Sequence, residues 1–150
     1  MKDMSLISNK IDPDKKVKNE GWIRSTMMIE ALAINRDAVK GALEKHVKGM
    51  EGVKGSCVYK KKFGEIVEVA KPMPNVEKAY SYLVELELVS RNFESLLYLV
   101  MTYAPTSVEI LEPKDLKLDI GQAQSVLIAV AEMLHRFAAM NIGAVHIPTK

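Results

Sequence analysis

From Tyr80 to Leu88 the chain reads Tyr-Ser-Tyr-Leu-Val-Glu-Leu-Glu-Leu, and this alternation constrains the fold more than any other feature. Successive side chains of a β-strand point to opposite faces, so Tyr80, Tyr82, Val84, Leu86 and Leu88 share one face while Ser81, Glu85 and Glu87 share the other. One face is apolar and one is wet. That pattern suits an antiparallel sheet covered on a single side, which directs the search toward helices that bury against that side.

The remaining elements follow from local signals. Ser25 to Ile34 is a short apolar run with polar flanks, which predicts a buried strand. Asn35 then caps a helix with Asp37 in its first turn, where the helix dipole favours an anion, and Val39, Leu43, Val47 and Met50 fall on one stripe. Gly52 is expected to close this helix in the left-handed conformation. Val53 to Tyr59 predicts a second strand, and Phe63 to Ala70 a continuation across a hairpin before Lys71-Pro72-Met73-Pro74-Asn75 breaks the pattern. Asn92 can cap another helix, with Phe93, Leu96, Leu97, Val100 and Met101 as its stripe, ending at Ala104-Pro105. Thr106 to Leu111 predicts a strand stopped by Pro113. A last helix starts at Asp119 with Gln122 three residues on, the spacing of a capping box, and runs to about Met140. Its broad apolar face, Val126, Leu127, Val130, Met133, Leu134 and Phe137, must cover the sheet or a neighbouring subunit.

This order is the split βαββαβ arrangement. It predicts an α+β fold with a ferredoxin-like antiparallel sheet, an extra β-hairpin and an added C-terminal helix. Residues 1–21, with turn signals at Ser8-Asn9 and Asp12-Pro13-Asp14 and a lysine-rich stretch without period, are expected to form a polar arm or loosely attached segment. Residues 22–141 then make the ferredoxin-like domain, and 142–150 a C-terminal tail.

Composition narrows the function classes. At 150 residues and 48% hydrophobic content the chain can bury a core without covalent staples. The single cysteine, Cys57, excludes an internal disulfide and a cysteine zinc cage. No apolar run approaches the roughly 20 residues of a membrane span, and no signal-peptide pattern opens the chain, so the cytoplasm is the expected location and no membrane partner is expected. A net charge of +2 is too small to announce nucleic acid as a partner. The distribution is more suggestive, because Lys10, Lys15, Lys16, Lys18 and Arg24 cluster early and Lys60-Lys61-Lys62 form a run.

Catalytic patterns are missing from the sequence. There is no phosphate-cradling glycine loop, no G-x-S-x-G and no H-E-x-x-H. His46, His135 and His146 are scattered, and none has a second metal-type ligand at helical spacing, so no metal or cofactor is expected. His46 reads as a packed or rim histidine. His135 and Arg136 adjoin on the last helix, where they could grip a phosphate or carboxylate or simply edge a solvated helix. Cys57 has no close histidine and reads as an inert thiol. Glu85 and Glu87 share a strand face as an acid/base pair would, yet so does any pair on a wet face.

A resemblance adds to this. Leu97, Leu99, Tyr103-Ala104-Pro105 and Val108-Glu109-Ile110-Leu111-Glu112-Pro113 followed by Leu116 make the stretch from about Val84 to Phe137 similar to the C-terminal extension of WYL-domain transcriptional regulators. The resemblance implies a ferredoxin-like fold, in agreement with the strand order. No helix-turn-helix or Trp-Tyr-Leu domain accompanies it here, so a DNA-reading role is not inherited. At the level of topology alone the chain also resembles ACT and related small-molecule-sensing modules, which pair into dimers and bind effectors between subunits.

Three functions compete. The first is a non-enzymatic ligand-sensing or partner-binding module that works as a homo-oligomer, with itself and a small-molecule effector as partners; its support is the surplus apolar surface of the last helix and the Tyr80 to Leu88 strand. The second is single-stranded RNA or DNA binding, with Arg24 and Lys60, Lys61 and Lys62 on phosphates and Tyr59 or Phe63 as a stacking platform. The third is an enzyme whose site forms between subunits.

Overall fold

The computed structural model describes residues 11–142. They form two compact units divided between Leu116 and Lys117, whereas the sequence placed 22–141 in a single domain.

In the first unit, β1 (Ile23–Ala33), β2 (Ser56–Phe63), β3 (Val67–Met73), β4 (Val76–Ser90) and β5 (Ser107–Glu112) make one antiparallel sheet, with α1 (Pro13–Glu20), α2 (Arg36–Glu51) and α3 (Phe93–Tyr103) around it. The sheet order is β2-β4-β1-β5, and β3 pairs with β4. That order is the ferredoxin-like one, with β3 as the extra hairpin strand. Strand β4 is long enough to serve both neighbours on one edge: its Val84 to Ser90 half pairs with β2 and its Val76 to Ser81 half with β3, while β1 runs along the other edge.

Alternation in β4 is as expected. Tyr82, Val84, Leu86 and Leu88 are buried on one face, joined there by Ile23, Met27 and Ile29 of β1. Helix α2 covers this face with Val39, Leu43, Val47 and Met50, all essentially without solvent contact. Asn35 accepts from the Ala38 N–H at 2.7 Å and Asn92 from the Ser95 N–H at 2.8 Å, so both helices start on the expected caps. In α3 Leu96 is buried, with Phe93 and Val100 packed against the core, as expected, and Leu99, outside the expected stripe, is buried beside them.

Three local expectations are corrected. Residues 13–20, within the expected polar arm or loosely attached segment, are helix α1. It buries no residue, and therefore shows no apolar period; it is held by its ends, with Asp12 accepting from the Asp14 and Lys15 N–H groups, Pro13 in the first turn and Gly21 in the left-handed conformation at φ 74°. Gly52 is right-handed, with φ −90°, and the left-handed glycine is Gly55 at φ 88°. The turn is therefore longer, and β2 begins at Ser56 rather than Val53. Strand β3 continues through Lys71 and Pro72 to Met73, because it lies at an edge where a proline's missing N–H breaks no ladder.

The second unit contains α4 (Ile120–Ile142). Its start is a reciprocal capping box: the Gln122 N–H donates to Asp119 Oδ1 at 2.7 Å and the Asp119 N–H to Gln122 Oε1 at 2.9 Å. No helix among the described residues is long and apolar enough to cross a membrane. His146 lies outside the described residues.

Candidate functional site

Two polar centres occupy the first unit, on opposite faces of its sheet. On the face away from α2, Arg24 of β1 is largely buried, and each arm of its guanidinium is used. Nε donates to Glu112 of β5 at 2.7 Å, one terminal nitrogen to the Tyr59 hydroxyl of β2, and the other to Asp14 of α1. The Tyr59 hydroxyl in turn donates to Glu87 of β4 at 2.7 Å. Burial alone would lower the Arg24 pKa, but the bonds to Glu112, Tyr59 and Asp14 outweigh it and hold the group above its ordinary value. Tyr59 is pushed up to about 12, first by burial and then by its bond to Glu87. Each of the three nitrogens donates one hydrogen bond within the fold. This centre ties four strands and a helix together through one bond from each guanidinium nitrogen and the Tyr59 bond to Glu87.

The predicted nucleic-acid residues are divided by the same sheet. A register shift between Val58 and Lys60 inserts Tyr59 as an extra residue in β2. Beyond it Lys60 and Lys62 lie across from Glu87 and Glu85 on the outer face. Lys61 points to the helix side, where Nζ sits 2.8 Å from Glu51 Oε2, off the direction of a hydrogen bond. Phe63 also turns inward and packs on Tyr82 with ring centroids 5.6 Å apart. Of the eight predicted binding residues, only Arg24 and Tyr59 are brought into contact as a pair. His135 and Arg136 are exposed on α4, in the other unit. Cys57 is half-buried, and burial pushes its thiol up, with the Glu51 carboxylate adding to the effect. Among the described residues no three His, Cys, Asp or Glu side chains gather to hold a metal.

The second centre is a cleft of about 820 Å³ on the helical side, between the end of α2 and the start of α3. Lys48 and Gly49 come from the last turns of α2, Lys54 from the turn that follows, Arg91 and Asn92 from the joint between β4 and α3, and Ser95, Tyr98 and Tyr103 from α3. Backbone bonds fix the frame. The Arg91 N–H donates to the Gly55 carbonyl at 2.7 Å, which pins the α2–β2 turn beside the cap of α3. Two glycines permit the close approach. A Cβ on Gly55 would lie 3.0 Å from Ser95 Oγ, and one on Gly49 would lie 3.2 Å from the Tyr103 hydroxyl. His46 holds the far end, with Nε2 2.8 Å from the Tyr103 carbonyl and its ring edge-on to the Tyr103 ring.

Electrostatically the cleft is lopsided. Lys48, Lys54 and Arg91 line it against one carboxylate, Glu94. None of the three cations forms an ion pair among the described residues, in contrast to Arg24 and Lys61. The N-terminal end of α3 opens on the same space and adds its positive dipole end. Sequence reasoning passed over these residues because Lys54 and Arg91 are distant in the chain and each looks like an ordinary surface cation. The signals that were present, a glycine-flanked Lys54 and an arginine just before the Asn92 cap, acquire meaning only through the β2-β4 pairing that joins them.

Sheet order and hairpin define an α+β protein with a ferredoxin-like sheet, and a cleft on its helical face is lined by three cations and one carboxylate. The chain belongs to the MJ0538 family, whose model matches residues 24–150. The matched span includes every residue of the cleft and all of α4, and begins after α1. No curated protein and no solved structure matches the chain.

Proposed function

We propose that this protein is a non-enzymatic binding module for a small anionic effector, held in the cleft between α2 and α3, and that it works as a homo-oligomer. The observation that carries the effector reading is the set of three cations, Lys48, Lys54 and Arg91, unpaired among the described residues around about 820 Å³ of concave space. That volume lies within the roughly 300 to 1,000 Å³ of small-molecule sites. Arg91 suits a bidentate grip on a phosphate or carboxylate, and the lysines suit further charge at looser geometry. Tyr98, half exposed, and Tyr103 offer ring faces for a planar part of the ligand. The cleft offers one carboxylate and no histidine or cysteine. Its lining suits charge complementarity and stacking.

Single-stranded nucleic acid has less support as the ligand, since Lys61 and Phe63 point away from Lys60 and Lys62 and the Tyr59 hydroxyl is committed to Glu87.

Calorimetry at low salt with inorganic pyrophosphate and adenosine monophosphate as probes tests the reading. Binding is expected for both, weakening with added salt and at least tenfold in Lys54→Ala/Arg91→Ala. Wild-type protein that takes up neither probe at millimolar concentration would refute the anionic cleft. Binding that survives the double variant unchanged would place the site elsewhere.

A further inference from the structure

The two ends of the α2–α3 cleft differ in kind. At one end the missing side chain of Gly55, which takes φ 88°, lets the first turn of α3 close on the α2–β2 turn. The point where a Cβ would stand lies 3.0 Å from Ser95 Oγ and 3.9 Å from Arg91 Cζ. Hydroxyl and guanidinium therefore converge closely enough for one tetrahedral anion to accept from both. The Ser95 N–H is held by Asn92 Oδ1 at 2.8 Å, which fixes the residue before any ligand arrives. Lys54, adjacent to Gly55 in the chain, adds its charge to the lining. The other end is aromatic. The Tyr103 ring lies on Gly49, where a Cβ would come within 3.2 Å of its hydroxyl, and His46 braces it with ring centroids 5.1 Å apart. Tyr98, one turn along α3 from Ser95 on the same side of the helix, lines the cleft and is 51% exposed.

We infer that the anionic effector is a phosphate monoester carrying a planar ring, of the nucleoside monophosphate type, with its phosphate between Arg91 and Ser95 and its ring against Tyr98. This rests on the anionic-cleft reading above and adds to it the ligand class and the ligand's direction. Charge selects the phosphate. Arg91 and Lys54 are both tied to the Gly55 end, and a phosphate monoester carries about −1.5 to −2 at neutral pH where a carboxylate carries about −1. A guanidinium fork and a hydroxyl together also match the three oxygens of a tetrahedral group better than the two of a flat carboxylate. Exposure selects the ring. Of the two tyrosines, Tyr103 is already packed against Gly49 and His46, whereas Tyr98 keeps a half-open face that loses its contact with water when a flat ring stacks on it. Pyrophosphate can satisfy the cationic end and leaves that face wet. The one carboxylate of the lining, Glu94, accepts from hydroxyls on the part that joins phosphate to ring.

Calorimetry on the full chain at low salt compares adenosine monophosphate with adenosine, inorganic phosphate, pyrophosphate and benzoate, with circular dichroism to confirm that each variant is folded. The monophosphate is expected to bind about tenfold tighter than adenosine, inorganic phosphate or benzoate, the scale of one base–aromatic stack or one charge-assisted contact. Tyr98→Ala should weaken the monophosphate about tenfold and pyrophosphate far less. Ser95→Ala, which keeps the backbone cap on Asn92, should weaken both by about fivefold or more. Uptake of neither the monophosphate nor pyrophosphate overturns the cleft reading and this inference together. Pyrophosphate bound with the monophosphate no tighter than inorganic phosphate overturns the ring-bearing monoester and leaves the anionic cleft standing. Benzoate as tight as the monophosphate overturns the selection of phosphate. Equal losses for the two ligands in Tyr98→Ala, or no loss, overturn the placement of the ring, and unchanged binding in Ser95→Ala overturns the placement of the phosphate. An oligoadenylate with a terminal phosphate that binds tighter than the monophosphate overturns the free monoester in favour of nucleic-acid ends. The wild-type comparison remains decisive if either variant fails to fold.

Discussion

Replacing Arg24 with methionine removes the charge at the centre of the outer-face network while keeping most of the apolar stem, and the cost can be worked bond by bond. The Nε bond to Glu112 is charge-assisted, but Glu112 is 46% exposed, which lowers the expected contribution to about 1.5 kcal/mol. The bond to the half-buried Tyr59 hydroxyl contributes about 1 kcal/mol. Asp14 is 73% exposed, and that pair contributes only about 0.3 kcal/mol. Arg24→Met should therefore destabilise the fold by about 3 kcal/mol, measured by urea denaturation followed by circular dichroism. A double-mutant cycle with Glu112→Gln should return a coupling of about 1 kcal/mol or more. Trypsin should also cut sooner after Lys15, Lys16 and Lys18, because Asp14 is the side chain through which α1 is tied to β1 by an ion pair. A loss below about 1 kcal/mol with no measurable coupling would refute the claim that this network holds the strands and α1 together.

Lys61→Ser should destabilise by about 1 to 2 kcal/mol, because it strands the buried Glu51 Oε2, whereas Lys60→Ser and Lys62→Ser should stay within about 0.5 kcal/mol; equal effects at all three sites in urea titrations would contradict the inward placement of Lys61. Tyr59 has its pKa raised on folding to about 12 from 10, so its stabilising contribution is complete below about pH 10 and is lost as pH rises toward 12. Denaturation across that window should show wild type losing more stability than Tyr59→Phe, and parallel losses would argue against the shift. Ser25 is fully buried with no partner for Oγ among the described residues, so Ser25→Ala should raise stability by about 1 kcal/mol in thermal melts, and a destabilised variant would mean that the hydroxyl is satisfied after all.

Much of the fold was legible because it is written in local rules. Alternation in β4, the Asn35 and Asn92 caps, the α2 stripe and the Asp119-Gln122 box each depend on residues a few positions apart, where period and capping chemistry act directly. Helix α1 escaped because its information lies in its ends alone: Asp12, Pro13 and Gly21 were all visible, but a search for apolar period passes over a helix that buries nothing. Gly52 and Gly55 were similarly both in view, and which of them turns left-handed was decided by where β2 must begin to pair with β4.

What the chain determined by itself is therefore the set of elements, their order, and the apolar and wet faces of each, since these follow from side-chain period and backbone chemistry within a few residues. The tertiary structure alone decided which polar groups are spent and which are free. It turned Lys61 and Phe63 inward between outward Lys60 and Lys62, and it closed Arg24 among Glu112, Tyr59 and Asp14. It also set Lys48, Lys54 and Arg91 around one cleft with a single carboxylate. The reason is that a charge's partner is chosen by strand register and helix packing, which join residues ten positions apart, as in Asp14–Arg24 and Glu51–Lys61, or 88 apart, as in Arg24–Glu112, by no local period or cap.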